Sequence, residues 1–144
     1  MGISYKIDKE KGITYVLWDG IVTADQFLAH VRKLLSEPGW PSHTKQHLVD
    51  LSNLNVMSSS ALDEATIETA AKLYLSDISK IEGLRVAIVA DQAFMSAKTF
   101  EKLISKYHLI TVIVFASLET ACTWFGEDTT ETRRKLKELK GLTS

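Results

Sequence analysis

Two stretches decide how this chain folds: Leu84-Arg85-Val86-Ala87-Ile88-Val89-Ala90 and Ile110-Thr111-Val112-Ile113-Val114-Phe115-Ala116. Both are short, nearly unbroken apolar runs rich in β-branched residues. A strand with one wet face alternates apolar and polar side chains. A strand covered on both faces does not, and that is the pattern of a mainly parallel sheet flanked by helices. Between the runs, Ala97, Phe100, Leu103, Ile104 and Tyr107 fall on one side of a helix, as a parallel crossover requires.

Working outward from these runs gives the same alternation. Ile3 to Ile7 and Ile13 to Trp18 flank the charged turn Asp8-Lys9-Glu10-Lys11-Gly12 and read as a β-hairpin. Thr23-Ala24-Asp25-Gln26 fits a capping box and opens a helix striped by Phe27, Leu28, Val31, Leu34 and Leu35. Pro38-Gly39 stops it, and the loop that follows carries Trp40. His47 to Leu51 reads as a third strand. The polar segment Ser52 to Ser60 leads into a helix from about Ala61 to about Tyr74, with Leu62, Ala65, Ala70 and Leu73 on one face. After the last apolar run, Ser117 caps a short helix bearing Leu118, Ala121, Cys122 and Phe125, and Gly126 is its natural stop. The expected fold is α/β: a mixed, mostly parallel sheet of about five strands in the order β-β-α-β-α-β-α-β-α. Residues 1–126 form the domain. Residues 127–144 form a charged tail, helical from about Glu131 to Lys140, with only Leu136 and Leu139 as a firm apolar face.

Composition narrows the function classes. The 144 residues suit one domain, and 45% hydrophobic with 24% charged residues is a folded balance. Lys and Arg number 17 against 18 Asp and Glu, a net charge of −1, which argues against a nucleic-acid partner. The single cysteine, Cys122, excludes an internal disulfide and reads as a small buried hydrophobe on its helical stripe. No apolar run has the length of a transmembrane span and the first residues have no signal-peptide core, so the expected location is cytoplasmic. A homodimer is expected, because compact domains of this kind commonly associate.

In open α/β sheets, ligands collect beyond the carboxyl ends of the strands. That rim here contains Asp50, Ser52, Ser58, Ser59, Ser60, Asp91 and Gln92. Asp50 and Asp91 end successive strands. As a pair they could hold Mg²⁺ or share acid and base duties, while separately each would cap nearby backbone N–H groups, the more ordinary use. The three serines can cap the helix that follows, receive a phosphate, or both. His43 and His47 are four apart but flank a loop-to-strand junction with no third ligand, so no metal site and no cofactor are expected. His108 precedes a buried strand and reads as structural. The chain has no G-x-G-x-x-G, Walker loop, G-x-S-x-G or H-E-x-x-H, and no enzyme is expected.

Val49-Asp50-Leu51-Ser52, with Val56-Met57-Ser58-Ser59-Ser60-Ala61-Leu62, resembles the D-L-S…M-D-S-S-G-L signature of STAS domains, the anti-sigma-factor-antagonist (SpoIIAA) fold. Val114 to Phe125 resembles the F-x-x-L-E-E-A-L-x-W-L ending of the SpoIIAA-like branch. That branch is mostly uncharacterised bacterial proteins, also described as STAS-like or CRAL-TRIO-like. The resemblance spans about Ile3 to Gly126. It implies a non-catalytic regulatory or binding domain that meets a protein partner through the strand-end rim and the Ser58–Leu62 helix start. It also places Ser59 at the phospho-acceptor position, with Ser58 standing for the signature's Asp and Ala61 for its Gly. Its CRAL-TRIO-like side implies the alternative, a carrier of a lipid or other small apolar ligand, with Trp40, Leu54, Val56, Met57 and Phe94 as apolar contacts.

Overall fold

In the computed structural model, which describes residues 2–38, 40 and 45–143, the two apolar runs become neighbouring parallel strands. The hairpin pairs β1 (Gly2–Asp8) antiparallel with β2 (Ile13–Gly20) across a turn closed by Gly12 N–H to the Asp8 carbonyl, 2.9 Å. Gly12 sits there at φ 69°, a left-handed conformation that glycine adopts without penalty. Then come α1 (Ala24–Ser36), β3 (Gln46–Leu54), α2 (Glu64–Leu75), the single turn α3 (Ile78–Ile81) and β4 (Arg85–Val89). The chain finishes with α4 (Phe94–Ser105), β5 (Thr111–Phe115), α5 (Leu118–Phe125) and α6 (Thr129–Thr143). The strands lie in the order β1-β2-β3-β4-β5, and every pairing after the first is parallel. The α/β, mostly parallel five-strand reading therefore holds, with the single turn α3 added among the described residues and the tail's helix, α6, running a little longer at each end than expected.

Each local signal has its physical counterpart. Thr23 and Gln26 form the capping box: Gln26 N–H donates to Thr23 Oγ1 at 3.2 Å and Thr23 N–H to Gln26 Oε1 at 2.9 Å. Gly126 closes α5 at φ 73° while Glu127 N–H reaches back to the Cys122 carbonyl, 2.9 Å. Cys122 is buried. Helix α2 starts at Glu64, three residues later than the pattern suggests, so Ser58–Leu62 is the turn before a helix rather than its start. Its buried face is Thr66, Ile67, Ala70, Ala71 and Tyr74, and Ala65 points to solvent. β5 is an edge strand, so Thr111 is exposed and Ile113 and Phe115 are only half-buried despite the apolar run.

The sheet separates two cores. Val16, Trp18, Leu51, Val86, Ile88, Val112 and Val114 face α1, α2 and α4. Ile13, Tyr15, Leu17, Leu48, Ala87 and Val89 face α5 and α6. Helix α6 is seated more deeply than its narrow apolar face suggests, because Thr132 and Lys135 are buried beside Leu136 and Leu139. Lys135 ion-pairs with Asp8, its ammonium lies 5.0 Å from the centre of the Tyr15 ring, and Ser4 Oγ donates to the Leu139 carbonyl at 3.1 Å. The Lys135 bond holds the Asp8 carboxyl below the usual carboxylate range, against the opposing pull of burial. Leu139→Ala is expected to cost about 2–5 kcal/mol in urea unfolding, the range for a buried leucine. A cost near zero would show that α6 merely rests on the sheet.

Candidate functional site

The expected rim residues fall into separate groups. Asp50 is buried on β3 and its Oδ1 accepts from the Ser52 backbone N–H at 2.9 Å and from Ser52 Oγ at 2.6 Å. The reason lies in the pairing of β2 with β3, where Leu17 faces Asp50 but Asp19 faces Asn53. β3 thus carries one extra residue, a bulge that turns Leu54 as well as Leu51 into the larger core. The Asp50 carboxylate satisfies a backbone donor at that bulge. Asp91 lies two residues past Val89, which pairs with Asp50, and it is exposed together with Gln92. Asp50 Oδ1 bonds to its own strand neighbour, and no hydrogen bond joins the two carboxylates among the described residues.

The serines fasten a different element. Ser59 Oγ donates to the Asn55 carbonyl at 2.6 Å and accepts from Val22 N–H at 3.0 Å. Ser60 Oγ accepts from Ala24 N–H at 2.9 Å, the first residue of α1, and Ala61 N–H donates to the Val22 carbonyl at 3.2 Å. The serine run therefore satisfies the free donors leading into α1, not those of α2, whose N-cap position is Asp63. Asn55 organises the turn: its N–H donates to the Gly20 carbonyl at 2.8 Å and its Oδ1 accepts from Ser58 N–H at 3.2 Å. Sequence reasoning did not single out Asn55, although an Asn opening a short polar turn is an Asx-turn signal.

Around this lattice, large apolar side chains stand in water. Ile21, Met57 and Met95 are 39%, 93% and 75% exposed. They follow β2, β3 and β4, three adjacent strands, at the same carboxyl end of the sheet. Leu54, Val56 and Phe94, expected as loop contacts, are instead buried or half-buried, and Trp40 is 2% exposed in the larger core.

Beneath the rim, between the sheet and α1, α2 and α4, lies a cavity of about 60 Å³. Val16, Val49 and Ile88 form its floor, with Phe27, Ile67 and Phe100 opposite. Two of its walls are histidines, His30 from α1 and His47 from β3. The His47 Nδ1 has no hydrogen-bond partner among the described residues, nor does Nε1 of Trp40, whose ring centre lies 5.8 Å away. An unpaired buried polar atom costs about 1–3 kcal/mol. On its outer side His30 lies edge-on to Tyr5 at 5.5 Å and also borders an open groove of about 660 Å³ between β1 and α1. His30 escaped notice in the sequence, yet it sits three residues after Phe27 and four before Leu34, on the apolar stripe itself. His47 is a cavity wall; His43, four residues before it, lies outside the described residues.

No family model and no curated protein matches this chain. A solved structure does: an uncharacterized protein of the DUF3478 family with a SpoIIAA-like fold, from Shewanella loihica PV-4. The match covers 86% of this chain and 94% of that one, with a TM-score of 0.51 and 16% identity. The fold is SpoIIAA-like, as the two motif stretches implied. No helix among the described residues is long and apolar enough to cross a membrane.

Burial pulls His30 down to a pKa of about 4, helped by the Lys33 charge, and pulls His47 down to about 3, helped by His30. Both stay near 6.5 in the unfolded chain, which therefore binds protons first as pH falls. Their stabilisation is complete above about pH 6.5 and is lost as pH drops toward 4 and then 3. Urea titrations are expected to show about 3–4 kcal/mol less stability at pH 5 than at pH 7, and about half that loss in His47→Gln. A flat profile across this window would mean that the imidazoles are hydrated.

Proposed function

We propose that this protein is a non-catalytic regulatory or binding domain of STAS type, which meets a protein partner through the carboxyl-end rim of its sheet. One observation carries the reading: Ile21 after β2, Met57 after β3 and Met95 in the first turn of α4 after β4 are exposed at that end. Exposed apolar side chains mark a contact surface where they form a contiguous patch. Ser58, Ser60, Asp91 and Gln92 supply the polar surround, and the Asp50–Ser52 bulge sets the course of the loop that presents Met57.

Ser59 is the switch in this reading. A phosphate on its Oγ removes the proton donated to the Asn55 carbonyl and adds negative charge beside the entry to α1, where the helix dipole favours it. Modification would therefore loosen the Asn55 turn and change the rim that carries Met57. In this reading the rim also serves self-association, in keeping with the expected homodimer. The alternative function, a carrier of a small apolar ligand, draws on the cavity beneath the rim.

A photo-crosslinking side chain at position 57 is expected to capture a partner that the same group at exposed Lys137 on α6 does not. Equal capture at both positions would defeat the rim assignment. After co-expression with serine kinases of the source organism, peptide mapping should find phosphate on Ser59. Phosphate confined to other residues would end its role as acceptor.

A further inference from the structure

Strand β1 has a neighbour on one side only, β2. Its seven residues pair with β2 without a register shift. On the other edge, every second residue turns its backbone N–H and C=O away from β2, and no strand meets them among the described residues. Sheet edges are commonly blunted by a bulge, a proline or a charge. Gly2-Ile3-Ser4-Tyr5 has none of these. Helix α1 runs beside this edge and leaves the open groove of about 660 Å³. Ser4 borders the groove although its hydroxyl turns to the Leu139 carbonyl on the far side of the sheet, so it lines the groove with main chain.

The helical wall is chemically specific. Ala29, Lys33 and Glu37 line the groove four residues apart, in a row with steps of about 6 Å. Side chains on one face of a strand repeat at about 6.8 Å. A strand laid along β1 therefore sets three alternate side chains against these three residues. Ala29 is small and exposed, which leaves room for an apolar side chain beside half-buried Ile3. The Lys33 ammonium lies 5.6 Å from the centre of the Tyr5 ring and suits a carboxylate. Glu37 stands at the Tyr5 hydroxyl, whose pKa is raised by burial and then by that carboxylate, and it suits a cation. Neither charge is in an ion pair among the described residues. Gly2 lies against Gln26 while Tyr5 meets His30, Lys33 and Glu37, so β1 and α1 run the same way. An incoming strand antiparallel to β1, the more stable pairing, passes Glu37 first and Ala29 last.

We propose that the β1–α1 groove binds an extended segment of a partner protein, which adds to the sheet beside β1 and carries a basic, an acidic and an apolar side chain at alternate positions, in that order from its N-terminus. Backbone hydrogen bonds to β1 hold the segment, and Glu37, Lys33 and Ala29 select it. This site is separate from the rim of Ile21, Met57 and Met95 and does not rest on it.

The test titrates the ¹⁵N-labelled full chain with the capped heptapeptide T-K-T-E-T-V-T and with its charge-exchanged form T-E-T-K-T-V-T. The first is expected to shift amide signals over Gly2–Tyr5 and Ala29–Glu37 and to slow hydrogen exchange at alternate β1 amides. The exchanged peptide should bind about tenfold more weakly, the effect of replacing two exposed ion pairs by two like-charge contacts. In the double variant Lys33→Glu with Glu37→Lys the preference should reverse. The two peptides on the unaltered chain decide the matter even if that variant folds poorly. No binding, equal binding of both peptides, or binding without protection of β1 would overturn the proposal. Shifts centred on Met57 and Met95 would also overturn it while supporting the rim contact. Alternate β1 amides already protected without peptide would mean that a second copy of the chain occupies the edge, which overturns it too.

Discussion

The inner strands of this sheet must be dry on both faces, and the rest of the molecule answers to that constraint. Val86 and Ile88 point one way from β4 and Ala87 and Val89 the other, so helices are needed on two sides. Crossovers α1, α2 and α4 all cover the same side. The opposite side has no crossover left to cover it, and α5 and α6 lie there instead. This is why a helix of mean hydropathy well below zero ends up with Leu136 and Leu139 buried, and why Lys135, carried in with them, is tied to Asp8. A buried ammonium without that carboxylate would be strongly unfavourable.

The same constraint shapes the carboxyl-end rim. β3 must stay paired with β2 as far as Leu54 while keeping Leu51 and Leu54 in one core, and the bulge reconciles the two demands. Asp50 and Ser52, which look like chemistry in the sequence, settle the hydrogen-bonding account of that bulge. Ser59 and Ser60 then bind the β3–α2 turn to the start of α1. Two loops from adjacent strands are thereby joined by hydrogen bonds, and Met57 is exposed on the second of them. A modification of Ser59 would act on this joint, which gives a local charge change a mechanical outlet.

The larger core contains a conflict of a different kind. Filling the space around His47 with hydrocarbon would remove an unpaired polar atom and add packing, and stability alone favours that change. The buried pair His30 and His47 instead lowers stability on the acidic side of neutrality. Polar groups kept at such a cost inside an apolar chamber are where function and packing part company.

How much of this was legible beforehand varies residue by residue. The apolar runs, the Thr23 capping box, the Gly126 stop and the burial of Cys122 depend on contacts within a few positions of one another, or on a pattern that only a doubly covered strand satisfies. They were readable for that reason. The extension of β3 to Leu54 was not, because Asn53 and Leu54 are held in the strand by pairing with Asp19 and Gly20 of β2, more than thirty positions away. His30 announced itself as a position on a stripe, but nothing local says that the stripe's other wall would be His47. The sequence by itself determined the class of fold and the rim on which its polar residues gather, since periodicity and capping are local physics. Only the tertiary structure decided that Asp50 serves a bulge, that the serines fasten α1 rather than α2, and that two histidines share one cavity. Each of those depends on which distant donors and acceptors are brought within about 3 Å of one another, a distance that folding sets and sequence separation does not.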